Sequence, residues 1–195
     1  MKNNITSVIL DLRRNPGGYG DRFDEMLSIF IDKPSIKYLK GQRLRVSPET
    51  IGDYDFLNQD MIGQVVDIPK ECVISEVELN PKHFITSMKY YVLQSKDTGS
   101  VAASFCNIMH YNNAATLVGE PLLHSALKYG EIIPGSQLGS STIFFDAVST
   151  TEYNEYTKAI DGVLYPDIHI PYVASEYMTG KDAVLEKLLT IIKNK

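Results

Sequence analysis

The stretch Tyr90–Leu117, YYVLQSKDTGSVAASFCNIMHYNNAATL, decides the fold. Tyr90 to Leu93 is an apolar run of the length of a buried strand, Asp97-Thr98-Gly99 is a tight turn, and Val101, Phe105, Ile108 and Met109 recur on one face of a helix. Ser100 stands at the join. A strand that runs into a helix there leaves the first helical N–H groups without intrahelical partners and turns the positive end of the helix dipole towards the serine. On these residues alone two roles are open to Ser100: a helix cap, the common use of serine before an apolar helix, or a nucleophile beside a place that holds an oxyanion.

Working outward, Ala115 to Val118 reads as a third apolar segment and runs into Gly119-Glu120-Pro121. Strand, helix and strand at this spacing demand a crossover between parallel strands. Upstream, Thr6 to Leu12, TSVILDL, is a short β-branched run bounded by Arg-Arg-Asn-Pro-Gly-Gly, the pattern of a buried parallel strand ending in a glycine-rich turn. It begins almost at Met1, which suggests a piece of something longer or a missing neighbouring strand. Asp21 is placed to cap a helix whose apolar positions are Phe23, Met26, Leu27 and Phe30, with Pro34 ending it.

Residues 35–80 carry less pattern. Ile36 to Val46 alternates loosely as one strand, and the segment reads as an insertion over the core, a surface excursion or a lid. Residues 132–149, with Pro134-Gly135 and the run Thr142 to Val148, read as a hairpin or ribbon. Residues 163–170 form a short extended piece broken by Pro166, and Asp182 to Ile192 is an amphipathic closing helix.

Composition bounds the class. With 195 residues the chain is long enough for one well-buried core and short for two, so a single domain spanning 1–195 is expected. Hydrophobic residues are 44% and charged residues 22%, and the net charge of -5 with no basic run argues against a nucleic-acid partner. No apolar stretch approaches the ~20 residues of a membrane span, and the N-terminus lacks a signal-peptide pattern. Cys72 and Cys106 have neither Cys-x-x-Cys nor Cys/His spacing, so both are expected to be buried free thiols, with no metal site.

Four segments, in order, resemble the C-terminal processing, or tail-specific, serine protease family and its tricorn-type relatives. Val8–Gly18, VILDLRRNPGG, is similar to the family's strand and loop ending in D-L-R-x-N-P-G-G. Asp97–Ala103, DTGSVAA, resembles its nucleophile motif T-x-S-A-A-E, and Ala114–Pro121, AATLVGEP, the strand and glycine turn after it. Gly162–Ile170, Gly180-Lys181-Asp182 and Leu185-Glu186 resemble the P-D-I and G-K-D-x-x-L-E segments. The resemblance implies an α/β fold, a ClpP/crotonase-like core of parallel strands and βαβ units with a C-terminal β ribbon and closing helix. It implies Ser100 as the nucleophile that attacks a peptide carbonyl. The amides of Gly17, Gly18 and Val101 would supply an oxyanion hole, worth about 3 kcal/mol of barrier per donor in serine proteases. The substrate would be a peptide or protein, its C-terminal segment included; no cofactor or metal is implied, and the family is commonly exported from the cytoplasm.

A serine needs a base. In the bacterial branch it is a lysine in G-x-x-T-x-G-K-G, and aligning that motif on Gly119 puts Leu122, His124 and Ser125 at the threonine, second glycine and lysine positions. A second branch, with G-E-P-T-G-G and a following Y-G pair, resembles tricorn-type enzymes in taking a histidine from upstream of the first strand; Gly119-Glu120-Pro121 and Tyr129-Gly130 agree with it. Within the chain, His124 and Lys128 are weak base candidates, each with a solvated surface residue as the plainer account. His110 lies ten residues, about 15 Å of helix, beyond Ser100 and is a poor one. Ala103 stands where the family has glutamate. A third catalytic member is expected near Glu152, Glu155 or Asp161. Two readings therefore follow: a serine endopeptidase core acting through an acyl-enzyme, or a catalytically inactive peptide-binding or structural remnant of the same fold. As an isolated chain it is expected to be inactive. An acyl-CoA enzyme of the crotonase type shares the fold but makes no use of the Asn15–Gly18 and Ser100 pairing.

Overall fold

A computed structural model describes residues 5–18, 20, 22–85, 88–123, 127–132 and 149–194. Its elements in chain order are β1 (Ser7–Asp11), α1 (Phe23–Phe30), β2 (Ser35–Lys37), β3 (Leu39–Arg45), β4 (Val65–Asp67), β5 (Glu76–Glu78), β6 (Lys89–Gln94) and α2 (Ser100–Tyr111). They continue with β7 (Thr116–Gly119), β8 (Leu127–Ile132), β9 (Ser149–Glu155), β10 (Ile168–His169), α3 (Ala174–Tyr177) and α4 (Ala183–Lys193). The chain is mixed α/β, with a parallel sheet of order β1-β6-β7-β10, an antiparallel sheet of order β4-β3-β9-β8 and a β2-β5 ladder.

Two compact units are distinguished: residues 1–36, 77–125 and 156–195, and residues 37–76 with 126–155. The first holds the parallel sheet. Val8 and Leu10 of β1 lie beside Tyr90 and Val92, and Val92 beside Leu117 of β7, so the strands are in register along their apolar runs. Tyr91, Leu93 and Val118 pack with Ile170 and with Val184 and Leu188 of α4, all nearly inaccessible to water. Phe30 of α1 sets its ring edge-on to Tyr90 and Phe105, with centroids 4.9 and 5.7 Å apart. Such offset aromatic contacts fix α1 against both the sheet and α2. α2 is buried over Ala102–Met109, more completely than its single apolar stripe implies.

The second unit has its own small core of Leu44, Val46, Leu57 and Ile68. β3 pairs with β9, which pairs with β8, all antiparallel. The expected single strand over Ile36–Val46 is two: β2 pairs with β5, Tyr38 N–H donates to Ser75 O just before β5, and β3 goes on to pair with β4 and β9. The expected run Thr142–Val148 lies outside the described residues, as does the Asp21 cap; Arg22 takes the N-cap place of α1 without a side-chain bond. Cys106 is buried as expected, and burial pushes its thiol up to about 12. Cys72 is a correction: it is exposed, in the short turn Lys70–Cys72 that follows Pro69. Among the described residues no helix is long and apolar enough to cross a membrane.

Candidate active site

Ser100 is built by the turn between β6 and α2. Ser95 N–H donates to Thr98 Oγ1 (3.0 Å), Asp97 N–H to Ser95 Oγ (3.1 Å) and Thr98 N–H to Ser95 O (3.1 Å), a tight self-bonded loop of the kind that Ser, Asp and Thr favour. The turn is also tied to the end of β1: Ser95 Oγ donates to Arg13 O (2.6 Å) and Thr98 Oγ1 to Leu12 O (2.9 Å). Gly99 is extended, and Ser100 then adopts φ +46°, the left-handed region that residues with a Cβ enter at a cost of roughly 1–2 kcal/mol. Gly99, with no side-chain bond, occupies the N-cap place of α2, and its carbonyl takes the amides of Ala102 and Ala103. The helix-cap reading of Ser100 is thereby overturned. Among the described residues its hydroxyl makes no hydrogen bond.

The Asn15–Gly18 loop packs directly on this residue. Gly99 N–H donates to Asn15 O (3.0 Å), and Gly17 N–H to Asn15 Oδ1 (2.9 Å). Gly17 has φ +107°; a Cβ there would run into Ser100 Cβ and lie 2.9 Å from Gly99 O and 3.0 Å from Val101 N. Only glycine permits this approach. The Gly17 amide is occupied by Asn15, whereas the amides of Gly18 and Val101 make no hydrogen bond among the described residues. The Val101 amide thus stands open at the start of a helix whose dipole favours negative charge, with Gly17 packed beside it.

Arg13, three residues before Pro16, carries the strongest electrostatics here. Its guanidinium donates to both oxygens of Asp11 (2.9 and 2.6 Å) and both of Asp182 (2.8 and 2.6 Å). Those hydrogen bonds hold the carboxyls of Asp11 and Asp182 below their ordinary value and raise that of Arg13. Asp182 is also the cap of α4, accepting from Leu185 N–H (3.0 Å). A cavity of about 1270 Å³ opens beside this cluster, lined by Asn15, Pro16, Gly119 and Tyr172 among others, but not by Ser100.

His124 lies outside the described residues, and Lys128 belongs to β8, opposite Tyr153. His110 closes α2 and sets Nε2 3.2 Å from Asp167 Oδ1, while Asp167 Oδ2 accepts from Leu117 N–H (2.7 Å). The histidine and the P-D-I aspartate therefore brace the start of β7. Glu152 receives both nitrogens of the Arg43 fork (2.7 and 2.8 Å), Glu155 is fully buried in β9, and Asp161 occupies a left-handed turn. Glu120 accepts from Tyr172 N–H (3.2 Å), and Gly119, at φ +118°, sits against Gln94 O where no Cβ fits. The left-handed Ser100 and the Arg13–Asp182 pair were not read from the sequence. The D-L-R and G-K-D motifs held the two ends of that pair, but 169 residues apart.

The family model described as peptidase family S41 matches residues 1–144. Among solved structures, mature CPAF superposes with a TM-score of 0.65 at 17% identity, over 99% of this chain and 45% of that one. CPAF complexed with lactacystin gives 0.62 at 16% identity, over 97% and 45%. The tricorn protease gives 0.50 at 16%, over 96% and 15%. The chain thus spans less than half the length of each of these proteins.

Proposed function

Since the chain belongs to peptidase family S41, we propose that it carries the nucleophile and oxyanion hole of a serine endopeptidase. Ser100 Oγ forms a bond to the scissile carbonyl carbon as its proton passes to a base, and the carbonyl oxygen becomes an oxyanion. That charge is met by the amides of Gly18 and Val101, with Gly17 allowing the close approach. Collapse breaks the C–N bond, the amine leaves with the proton, and water releases the acyl group from Ser100. The substrate is a peptide or protein segment, its C-terminal part included.

The observation that carries this reading is the packing of the Asn15–Gly18 loop on a left-handed Ser100 whose hydroxyl is unbonded among the described residues. A serine held in a strained turn at a helix start, with unpaired amides beside it, is arranged for attack and not for capping. For the base, His124 and Lys128 are the candidates within the chain, and a histidine from another segment is the alternative the tricorn-type resemblance implies. A fluorophosphonate probe tests the nucleophile. The protein encoded by the natural reading frame is expected to be labelled and its Ser100→Ala variant not; equal labelling of the two would refute the assignment.

A second reading is favoured by one observation, the serine at position 125 where the bacterial branch has its lysine. On that reading the same loop and helix start bind a peptide carbonyl without cleaving it. Peptide binding with no turnover, unaltered by Ser100→Ala, is its signature.

A further inference from the structure

We infer that Arg13 is a positioning residue, clasping Asp11 and Asp182 so that the Asn15–Gly18 loop is held against Ser100. This rests on the reading of Ser100 as nucleophile. The loop's direct tie to the Ser100 turn is the Gly99 N–H bond to Asn15 O, with Gly17 packed on Ser100. Asn15, Pro16 and Gly18 are exposed, so no buried side chain anchors it. Its stem, by contrast, is gripped from both sides. On one side the Ser95 and Thr98 hydroxyls bond the carbonyls of Arg13 and Leu12, which ties the stem to the turn that carries Ser100. On the other, Arg13 uses Nε, Nη1 and Nη2 in four hydrogen bonds to two carboxylates.

The chemistry selects arginine. Its planar fork matches a carboxylate on each of two edges, whereas a lysine ammonium is a point charge with no such bidentate geometry. Asp11 ends β1, and Asp182 starts α4, whose Val184 and Leu188 belong to the sheet's core. Arg13 therefore ties the loop to the end of β1 and the start of α4. Its backbone is within four residues of Gly17, whose missing side chain lets the loop touch Ser100. Displacements of about 1 Å near a reacting centre can cost on the order of 10²-fold in rate.

The test uses Arg13→Gln, Arg13→Lys and Asp182→Asn in the protein encoded by the natural reading frame. It reads amide hydrogen exchange at Gly17 and Gly99, the two N–H groups bonded to Asn15. It also reads fluorophosphonate acylation of Ser100, resolved into maximal rate and half-saturating concentration. Arg13→Gln is expected to speed exchange at those two glycines by about tenfold or more, with β6 and the middle of α2 unchanged. The maximal acylation rate should fall by roughly 10- to 100-fold while the half-saturating concentration stays within about twofold. Arg13→Lys should recover part of that loss. Asp182→Asn keeps a good cap for α4 but weakens the clasp, so it should move both readouts in the same direction by less.

If Arg13→Gln raises exchange throughout the protein, Asp182→Asn decides: a rise confined to the loop supports the clasp, and no rise overturns it. Unchanged loop exchange in both variants also overturns it. Absence of any acylation in the unmodified protein would sink the nucleophile reading instead, and the exchange measurement would still judge the clasp.

Discussion

Ser100 pays for its position in backbone strain, and that strain is measurable. Glycine enters the left-handed region freely, so Ser100→Gly should relieve it; after the entropy that glycine adds to the unfolded chain, a gain of about 0.5–1 kcal/mol remains. Thermal unfolding should rise by roughly 2–4 °C per kcal/mol gained, while fluorophosphonate labelling disappears. A fall in the midpoint would mean that the conformation is not strained. Gly17→Ala is the converse case. Its methyl group would meet Ser100 and Gly99 at a φ of +107°, so the loop must retreat. A loss of about 1–3 kcal/mol is expected, with acylation reduced by at least about tenfold; unchanged labelling would exclude a role for loop proximity. Both residues were legible in the sequence as members of motifs. Their contact was not, because 83 positions separate them and no local pattern encodes φ at Ser100.

Periodicity identified the elements where burial follows one face. β1, β6, β7 and α4 all appear within a residue or two of the apolar runs that predict them; β6 is buried along nearly its whole length, as a strand inside a parallel sheet must be, whereas β1, expected to be buried, is half-buried at the end of the sheet order. Where the chain changes partners or lies exposed the pattern says less: Ile36–Val46 divides at Tyr38 between two sheets, and α3 has no fully buried residue to mark it. α4 is the element on which the sheet's core leans. Leu188 is wholly buried among Tyr91, Leu93 and Val118, so Leu188→Ala should cost about 2–5 kcal/mol in denaturant unfolding with little change in slope. A cost under about 1 kcal/mol would show that the helix is not seated as described. Asp182 is legible in the sequence as the start of α4 and as part of the G-K-D segment; its role as a partner of Arg13 depends on how α4 returns to the end of β1.

For the whole molecule, the same cluster makes stability depend on acid. Asp11 and Asp182 have carboxyls held below their ordinary value of 3.8, chiefly by the Arg13 hydrogen bonds. A carboxylate whose folded pKa is depressed contributes stability that is fully present above the unfolded value and is lost as pH falls through the folded one. Thermal midpoints should therefore hold steady above about pH 5 and decline below about pH 4, and Arg13→Gln should flatten that decline. Both carboxylates are substantially exposed, so solvent screening keeps the effect modest. An acid limb identical in the variant would show that the clasp contributes nothing to it. The sequence by itself determined the α/β class, the parallel core and the family, because each depends on local composition, on the period of burial or on a contiguous motif. Only the tertiary structure decided that Ser100 is left-handed and uncapped, that Gly17 touches it, and that Arg13 joins Asp11 to Asp182. Those facts arise from contacts between segments far apart in the chain, and they exist only once the sheet and α4 have brought the segments together.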